Sequence, residues 1–120
     1  MSIKFNYTAH KEMWIWLARN PKKYKSDWPG WRHNSGPYYL VQCTCFACDY
    51  DLKATHGVGS CDKCPLIWYK DSIFTMSCTH PNMGLFLRWL DAKESHNYKL
   101  ASKIAWRIAH LKVREGVECV

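Results

Sequence analysis

Apolar residues recur at helical spacing in three segments of the chain. In the first segment, Met13 and Leu17 share one side of a helix that we expect over residues 8–20. Thr8 is a residue type that often caps a helix N-terminus, and Pro21 is typical of the position just beyond a helix end. The tryptophans of this segment are expected mainly to pack in the core.

Two further helices are predicted near the C-terminus, over residues 84–94 and 97–112. Ser95 or Asn97 can cap the second of them. Across all three predicted helices, the expected core positions are Met13, Leu17, Leu85, Trp89, Leu100, Ile104 and Ile108. The pattern therefore predicts an α-rich fold with at most a small sheet.

The length of 120 residues is that of one domain, covering residues 1–120. The segment 115–120 is expected to be a frayed tail. The N-terminus lacks the apolar run of a signal peptide, and no segment approaches the roughly 20 apolar residues of a membrane span. We therefore expect a cytoplasmic protein that does not enter a membrane.

Four of the seven cysteines form two closely spaced pairs. Cys45 and Cys48 are one C-x2-C pair, and Cys61 and Cys64 are a second pair after twelve intervening residues. Two such pairs provide the four thiolates of a tetrahedral structural zinc site. The spacing predicts one zinc ion held by the segment 43–64, and this ion would supplement the small core of a short chain.

The remaining cysteines leave alternatives for this site. Cys43 lies two residues before the first pair, and Cys78 follows the second pair by fourteen positions, so either can replace one of the four ligands. An iron–sulfur cluster and a redox or disulfide function are less favoured uses of the motif. Cys119 is expected to be exposed near the C-terminus.

The formal net charge is +7, and it is concentrated outside the cysteine segment. A basic protein of this size favours anionic partners such as nucleotides, nucleic acid or an acidic protein surface, although solubility alone also explains the charge. On the predicted C-terminal helix, Lys99, Lys103 and Arg107 are one turn apart and share a face. Either this stripe is a solvated surface or it attracts an anion.

A second candidate ligand site is the basic connector that follows the first helix. There, Trp28 and Trp31 flank a Pro-Gly turn, with Lys25 and Arg32 beside them. Such a loop can stack on a base and hold its phosphate, or it can fold back and cover the first helix. Folding back is the favoured alternative.

An enzymatic function is not indicated. The six histidines are scattered, and none forms a recognisable motif with a cysteine. A four-thiolate site is closed to water and substrate, which favours an architectural metal. A zinc-dependent nuclease is the least favoured of the functions considered.

Three blocks of the chain together resemble a group of small cysteine-rich proteins encoded by tailed bacteriophages of Gram-positive hosts. The blocks are His10 to Leu17, the two cysteine pairs with the residues that follow them, and the C-terminal region from Trp89 to Leu111. The resemblance covers roughly residues 8–114. It implies an accessory protein in the host bacterial cytoplasm that acts by binding.

Two functions therefore remain to be distinguished. The first is an accessory protein that binds or sequesters a host component: an acidic protein, a nucleotide or a nucleotide-derived defence signal. The second is a nucleic-acid-binding zinc protein. A concave aromatic pocket would favour the first function, whereas a flat and continuous basic face would favour the second.

Overall fold

A computed structural model of the chain describes residues 3–41, 45–54, 64–67 and 84–120. The described ranges contain four helices: α1 (Tyr7–Arg19), α2 (Phe46–Ala54), α3 (Leu85–Glu94) and α4 (Tyr98–Ala109). Strand pairing in the same ranges is limited to isolated bridges. The predicted α-rich fold is confirmed. None of the described helices is long and apolar enough to cross a membrane.

The first helix begins one residue earlier than predicted because its cap is Asn6. The Asn6 side chain accepts a hydrogen bond from the amide of Ala9, at 3.1 Å. Thr8, which the sequence suggested as the cap, instead donates its hydroxyl to the carbonyl of Val120. At the other end, the Asn20 amide hydrogen-bonds the last free carbonyls of α1, so that the helix stops there as predicted.

The C-terminal helices are joined by a three-residue connection, residues 95–97. His96 in that connection has a left-handed backbone conformation, with φ of 58°. Asn97 then caps α4 by accepting from the amide of Leu100, at 3.3 Å, as the sequence predicted. Helix α4 ends at Ala109, three residues before the predicted end at residue 112.

The core lies where α4 packs against α1 and against α3. Six of the seven predicted core residues are buried, but Leu100 is 40% exposed, so its assignment is wrong. Leu100 lies in the first turn of α4. The alanines Ala101, Ala105 and Ala109 are buried instead, and their small side chains allow a neighbouring helix to approach closely.

Aromatic contacts join α1 to α3. The Trp14 and Trp89 rings meet edge to face, with centroids 4.9 Å apart, and Phe86 packs edge-on against Trp14. Both tryptophans are buried. Large aromatic rings in this geometry combine extensive apolar burial with favourable quadrupole contacts. Trp14 of α1 is therefore a core residue, as expected, whereas Trp16 of the same helix is half-buried.

A buried lysine fastens the connector after α1 onto α3. The Lys93 ammonium donates to the carbonyls of Pro21, at 2.9 Å, and of Lys23. It also lies 4.2 Å from the ring centre of Tyr24 and 5.0 Å from that of Trp89. Burial lowers the pKa of Lys93. Two carbonyls and two ring faces compensate the desolvation of the charge, which explains how a lysine is tolerated there.

The chain termini meet beside α1. Phe5 donates its amide to the carbonyl of Glu118 and accepts from the amide of Val120, at 2.8 and 2.9 Å. The same pairing brings Phe5 and Cys119 together as a parallel bridge. The segment predicted to be a frayed tail is therefore hydrogen-bonded, because the backbone of Phe5 provides it with partners.

A buried histidine also connects α1 to α4. The His10 ring lies 2.9 Å from the carbonyl of Ile108 through Nε2. Burial lowers the pKa of His10 to about 4, against the opposing effect of that carbonyl. The ring is therefore neutral at neutral pH and donates from Nε2 to the carbonyl, which makes His10 a packing residue and not an acid–base group.

Candidate functional site

The first cysteine pair lies at the start of α2, a helix that the sequence analysis did not predict. Cys45 immediately precedes the helix, and its carbonyl accepts the amide of Asp49 at 2.9 Å. The Cys48 amide lies 3.4 Å from the Cys45 sulfur and donates to it. Cys45 is buried and Cys48 is half-buried. The turn thus aims backbone N–H groups at the Cys45 sulfur.

Electrostatics at this turn favour the thiolate of Cys45. Hydrogen bonding from the Cys48 side chain lowers the pKa of Cys45 to about 6, although burial opposes the change. The charge of Lys25 and the amides of Ala47 and Cys48 act in the same direction as the side-chain bond. A thiolate is the form of cysteine that binds metals.

Cys64 is positioned by the C-terminal segment. Leu66 pairs with Val113 as an antiparallel bridge, and the amide of Arg114 donates to the carbonyl of Pro65 at 2.7 Å. The Arg114 guanidinium also donates to the carbonyl of Cys64, at 3.1 Å. Cys64 and Cys48 both pack against the main core. Cys64 is therefore tied to the chain beyond α4.

The structure describes three of the four predicted zinc ligands. Cys61 lies outside the described residues, as do the alternative ligands Cys43 and Cys78. Among the residues that are described, no group of three or more potential metal ligands comes together. Cys119 is exposed, as expected, and lies in the segment paired with Phe5.

The tryptophans of the connector are buried and do not offer a ligand surface. Trp28 is 5% exposed and Trp31 is fully buried. The Trp31 ring stacks on Phe46 of α2, with centroids 5.1 Å apart, and its indole nitrogen donates to the carbonyl of Lys25 at 2.8 Å. Tyr38 stacks on Trp28. The connector thus folds back, mainly onto α2, and forms a second aromatic cluster.

The cations of the same connector are engaged with aromatic rings. The Lys25 ammonium lies 4.4 Å from the ring centre of Phe86, and the Arg32 guanidinium lies 4.2 Å from that of Tyr39. With both tryptophans buried, these cations have no exposed indole beside them for base stacking. This arrangement argues against the predicted ligand site at Lys25, Trp28, Trp31 and Arg32.

The basic stripe of α4 is exposed, as predicted. Lys99, Lys103 and Arg107 all lie on the solvent side of the helix. The one ion pair among the described residues joins Lys53 to Asp49, so no described carboxylate pairs with the stripe. Its positive charge is therefore available to a ligand.

A pocket of about 480 Å³ adjoins this stripe, between the end of α1 and α4. Its lining residues are Ala18, Arg19, Ser102, Lys103, Trp106 and Arg107. Two of them, Lys103 and Arg107, belong to the stripe predicted from the sequence. The structure adds an exposed tryptophan and a third cation to them.

Trp106 was missed in the sequence analysis, although the sequence carries a signal for it. Trp106 follows Lys103 by three positions, so the helical period places both side chains on the same side of α4. Arg19 had no comparable signal, because only the packing of α1 against α4 brings it to the pocket.

No family model, curated protein or solved structure matches the chain. No related protein therefore provides a function that could be transferred to it.

Proposed function

We propose that this chain is an accessory binding protein that sequesters an anionic component of a bacterial host through the basic stripe of α4. The observation that carries the proposal is the set of exposed cations, Lys99, Lys103 and Arg107, with no ion-pair partner among the described residues. The resemblance to small cysteine-rich phage proteins supports the accessory function and a location in the host cytoplasm.

The shape beside the stripe favours this function over general nucleic-acid binding. A protein that tracks a nucleic-acid backbone needs a continuous basic surface. Here two of the stripe's cations instead line an open pocket together with Trp106. A small anionic ligand that also contacts the indole fits that arrangement better than a long polyanion.

Charge reversal on the stripe tests the proposal. We expect Lys103→Glu/Arg107→Glu to weaken binding of fluorescein-labelled heparin in an anisotropy titration. The slope of log affinity against log salt should decrease by about 2, because each lost cation removes about one contact. Thermal stability should change little, since both side chains are exposed.

The matched control is Lys4→Glu/Arg88→Glu, which changes the net charge equally at two other exposed positions. It should retain most of the wild-type heparin affinity. If both double variants weaken binding to the same extent, the effect is one of overall charge, and the α4 stripe is not the binding surface.

We further propose that Cys45, Cys48, Cys61 and Cys64 hold one structural zinc ion. The donor set suits zinc, since four thiolates are soft ligands that complete a tetrahedron. The turn at the start of α2 also resembles one half of such a site, because an amide donates to the sulfur of Cys45. Hydrogen bonds of this kind stabilise and orient a thiolate ligand.

Metal analysis of protein purified without added metal tests this assignment. We expect close to one zinc per chain and no visible absorbance, since zinc has a filled d shell. Stoichiometric iron with visible absorbance would instead identify an iron–sulfur site. Protein that is folded and contains neither metal would refute the zinc proposal.

A further inference from the structure

The pocket between α1 and α4 combines an aromatic wall with a cationic rim. The pocket is open to solvent, and its volume of about 480 Å³ is sufficient for a small molecule. Trp106 is 49% exposed, which is unusual for the largest apolar side chain, and it lines the pocket. The other six tryptophans include four that are buried in the two aromatic clusters.

The indole of Trp106 is supported from outside the pocket. His110 lies against it, with ring centroids 4.5 Å apart, and the His110 ring nitrogen Nδ1 lies 2.8 Å from the Trp106 carbonyl. His110 is not among the residues that line the pocket. The imidazole therefore does not occupy the pocket, and the half-exposed indole that lines it can stack on an aromatic group that enters.

Three cations surround this aromatic wall. Arg19 comes from the last turn of α1, and Lys103 and Arg107 come from α4. None of the three forms an ion pair with a described residue. Guanidinium groups bind phosphate oxygens in a bidentate manner, and an ammonium adds a further point charge. The rim is thus suited to a phosphate or a short run of phosphates.

Two of the lining residues join the helices through a hydrogen bond. The Ser102 hydroxyl donates to the carbonyl of Ala18, which lies in the last turn of α1. Because its proton is already used, the hydroxyl oxygen can only accept a hydrogen bond from a ligand. These two residues therefore add an apolar methyl group and an acceptor to the lining, which suit a base carrying an N–H group.

We infer that this pocket binds a nucleotide unit, with the base stacked on Trp106 and the phosphates held by Arg19, Lys103 and Arg107. The inference rests on the proposed function and specifies its ligand class. An acidic peptide would use the cations and leave the indole without an aromatic partner. A nucleotide uses both, as aromatic side chains and cations do in single-strand binding proteins.

Calorimetric titration with ATP and with inorganic tripolyphosphate tests the inference, because the two probes share a triphosphate chain and differ in the base and sugar. Wild-type protein should bind ATP about tenfold or more tightly than tripolyphosphate. Trp106→Leu should lower ATP affinity by about 10- to 100-fold, the effect typical of losing one stacked base, and leave tripolyphosphate affinity unchanged. Trp106→Phe should restore most of the ATP binding.

The rim is tested with Arg107→Gln, which should weaken both probes because it removes a phosphate contact and keeps the stacking wall. The nucleotide unit can belong to a free nucleotide or to a single strand of nucleic acid, and a (dA)8 oligonucleotide distinguishes these two sources. Tighter binding than ATP, with a steep salt dependence, identifies a single strand as the source. Weaker binding identifies a free nucleotide. Either result is consistent with the inference, provided that Trp106→Leu weakens the preferred probe.

Two results would overturn the inference. One is that ATP and tripolyphosphate bind equally tightly and that Trp106→Leu changes neither affinity. The stripe would then bind anions without recognising a base, and the proposed function would stand. The other is the absence of ATP and (dA)8 binding at millimolar concentration in folded wild-type protein. Failure of the proposed function is recognised separately, by heparin binding that does not respond to the Lys103 and Arg107 reversals.

Discussion

Replacing Cys64 by serine should leave the protein largely unfolded and without zinc. A neutral hydroxyl is a poor zinc ligand, and structural zinc sites in small domains contribute apparent binding energies of roughly 10–16 kcal/mol. Folded domains are stable by only about 5–15 kcal/mol in total. Loss of most of the metal's contribution therefore exceeds what a core of this size can compensate. The measurements are the zinc content and the circular dichroism signal of the purified variant.

Cys119→Ser is the matched control, because Cys119 is also a cysteine near the C-terminus but is exposed. Its backbone bridge to Phe5 does not depend on the thiol, so this variant should keep both zinc and thermal stability. A Cys64→Ser protein that folds and retains one zinc would show that Cys43 or Cys78 completes the site. A Cys64→Ser protein that folds without zinc would show that the metal is not needed for the stability of the fold.

Replacing Trp31 by alanine should cost about 3–5 kcal/mol of folding free energy, the usual range for truncating a fully buried tryptophan. Trp31 is fully buried, contacts Phe46 face to face and Trp28 edge to face, and donates a hydrogen bond to a backbone carbonyl. The substitution would leave a cavity between the connector and α2, and the Lys25 carbonyl would keep only its hydrogen bond from the Trp28 amide. Thermal denaturation should show a decrease in Tm of about 10 °C or more. Each kcal/mol of lost folding free energy lowers the Tm of a domain of this size by about 4 °C.

Trp106→Ala provides the comparison, since it removes the same side chain from an exposed position on α4. Its effect on Tm should be a small fraction of that at Trp31. If Trp31→Ala melts within a few degrees of wild type, the aromatic cluster of the connector does not stabilise the fold. The connector tryptophans would then become candidates for a ligand surface again.

Local periodicity was sufficient to predict α1, α3 and α4. In these segments the apolar residues repeat every three to four positions, and α1 and α4 are capped by the nearby side chains of Asn6 and Asn97, so a short window contains the signal. The first helix was misplaced by one residue because Asn6 and Thr8 are both good caps. Only the position of the carboxyl terminus explains why Thr8 is used differently, since its hydroxyl bonds Val120.

Helix α2 was missed for a different reason. Its sequence, from Phe46 to Ala54, has only a weak apolar face, and its cysteines were assigned to a metal segment without regular structure. The aromatic residues that bury Phe46 come from the connector. Such long-range contacts can stabilise a helix that local propensity alone does not favour.

The sequence by itself determined three helices, the basic stripe on the last of them and the pairing pattern of the cysteines, because each depends on spacing within a short stretch of chain. Tertiary structure decided which tryptophans are exposed. Trp28 and Trp31 look like loop residues in the sequence and are buried, whereas Trp106 lies on a helix and is exposed. It also decided that Arg19 joins Lys103 and Arg107 at one pocket, because residues so far apart in sequence meet only when α1 packs against α4.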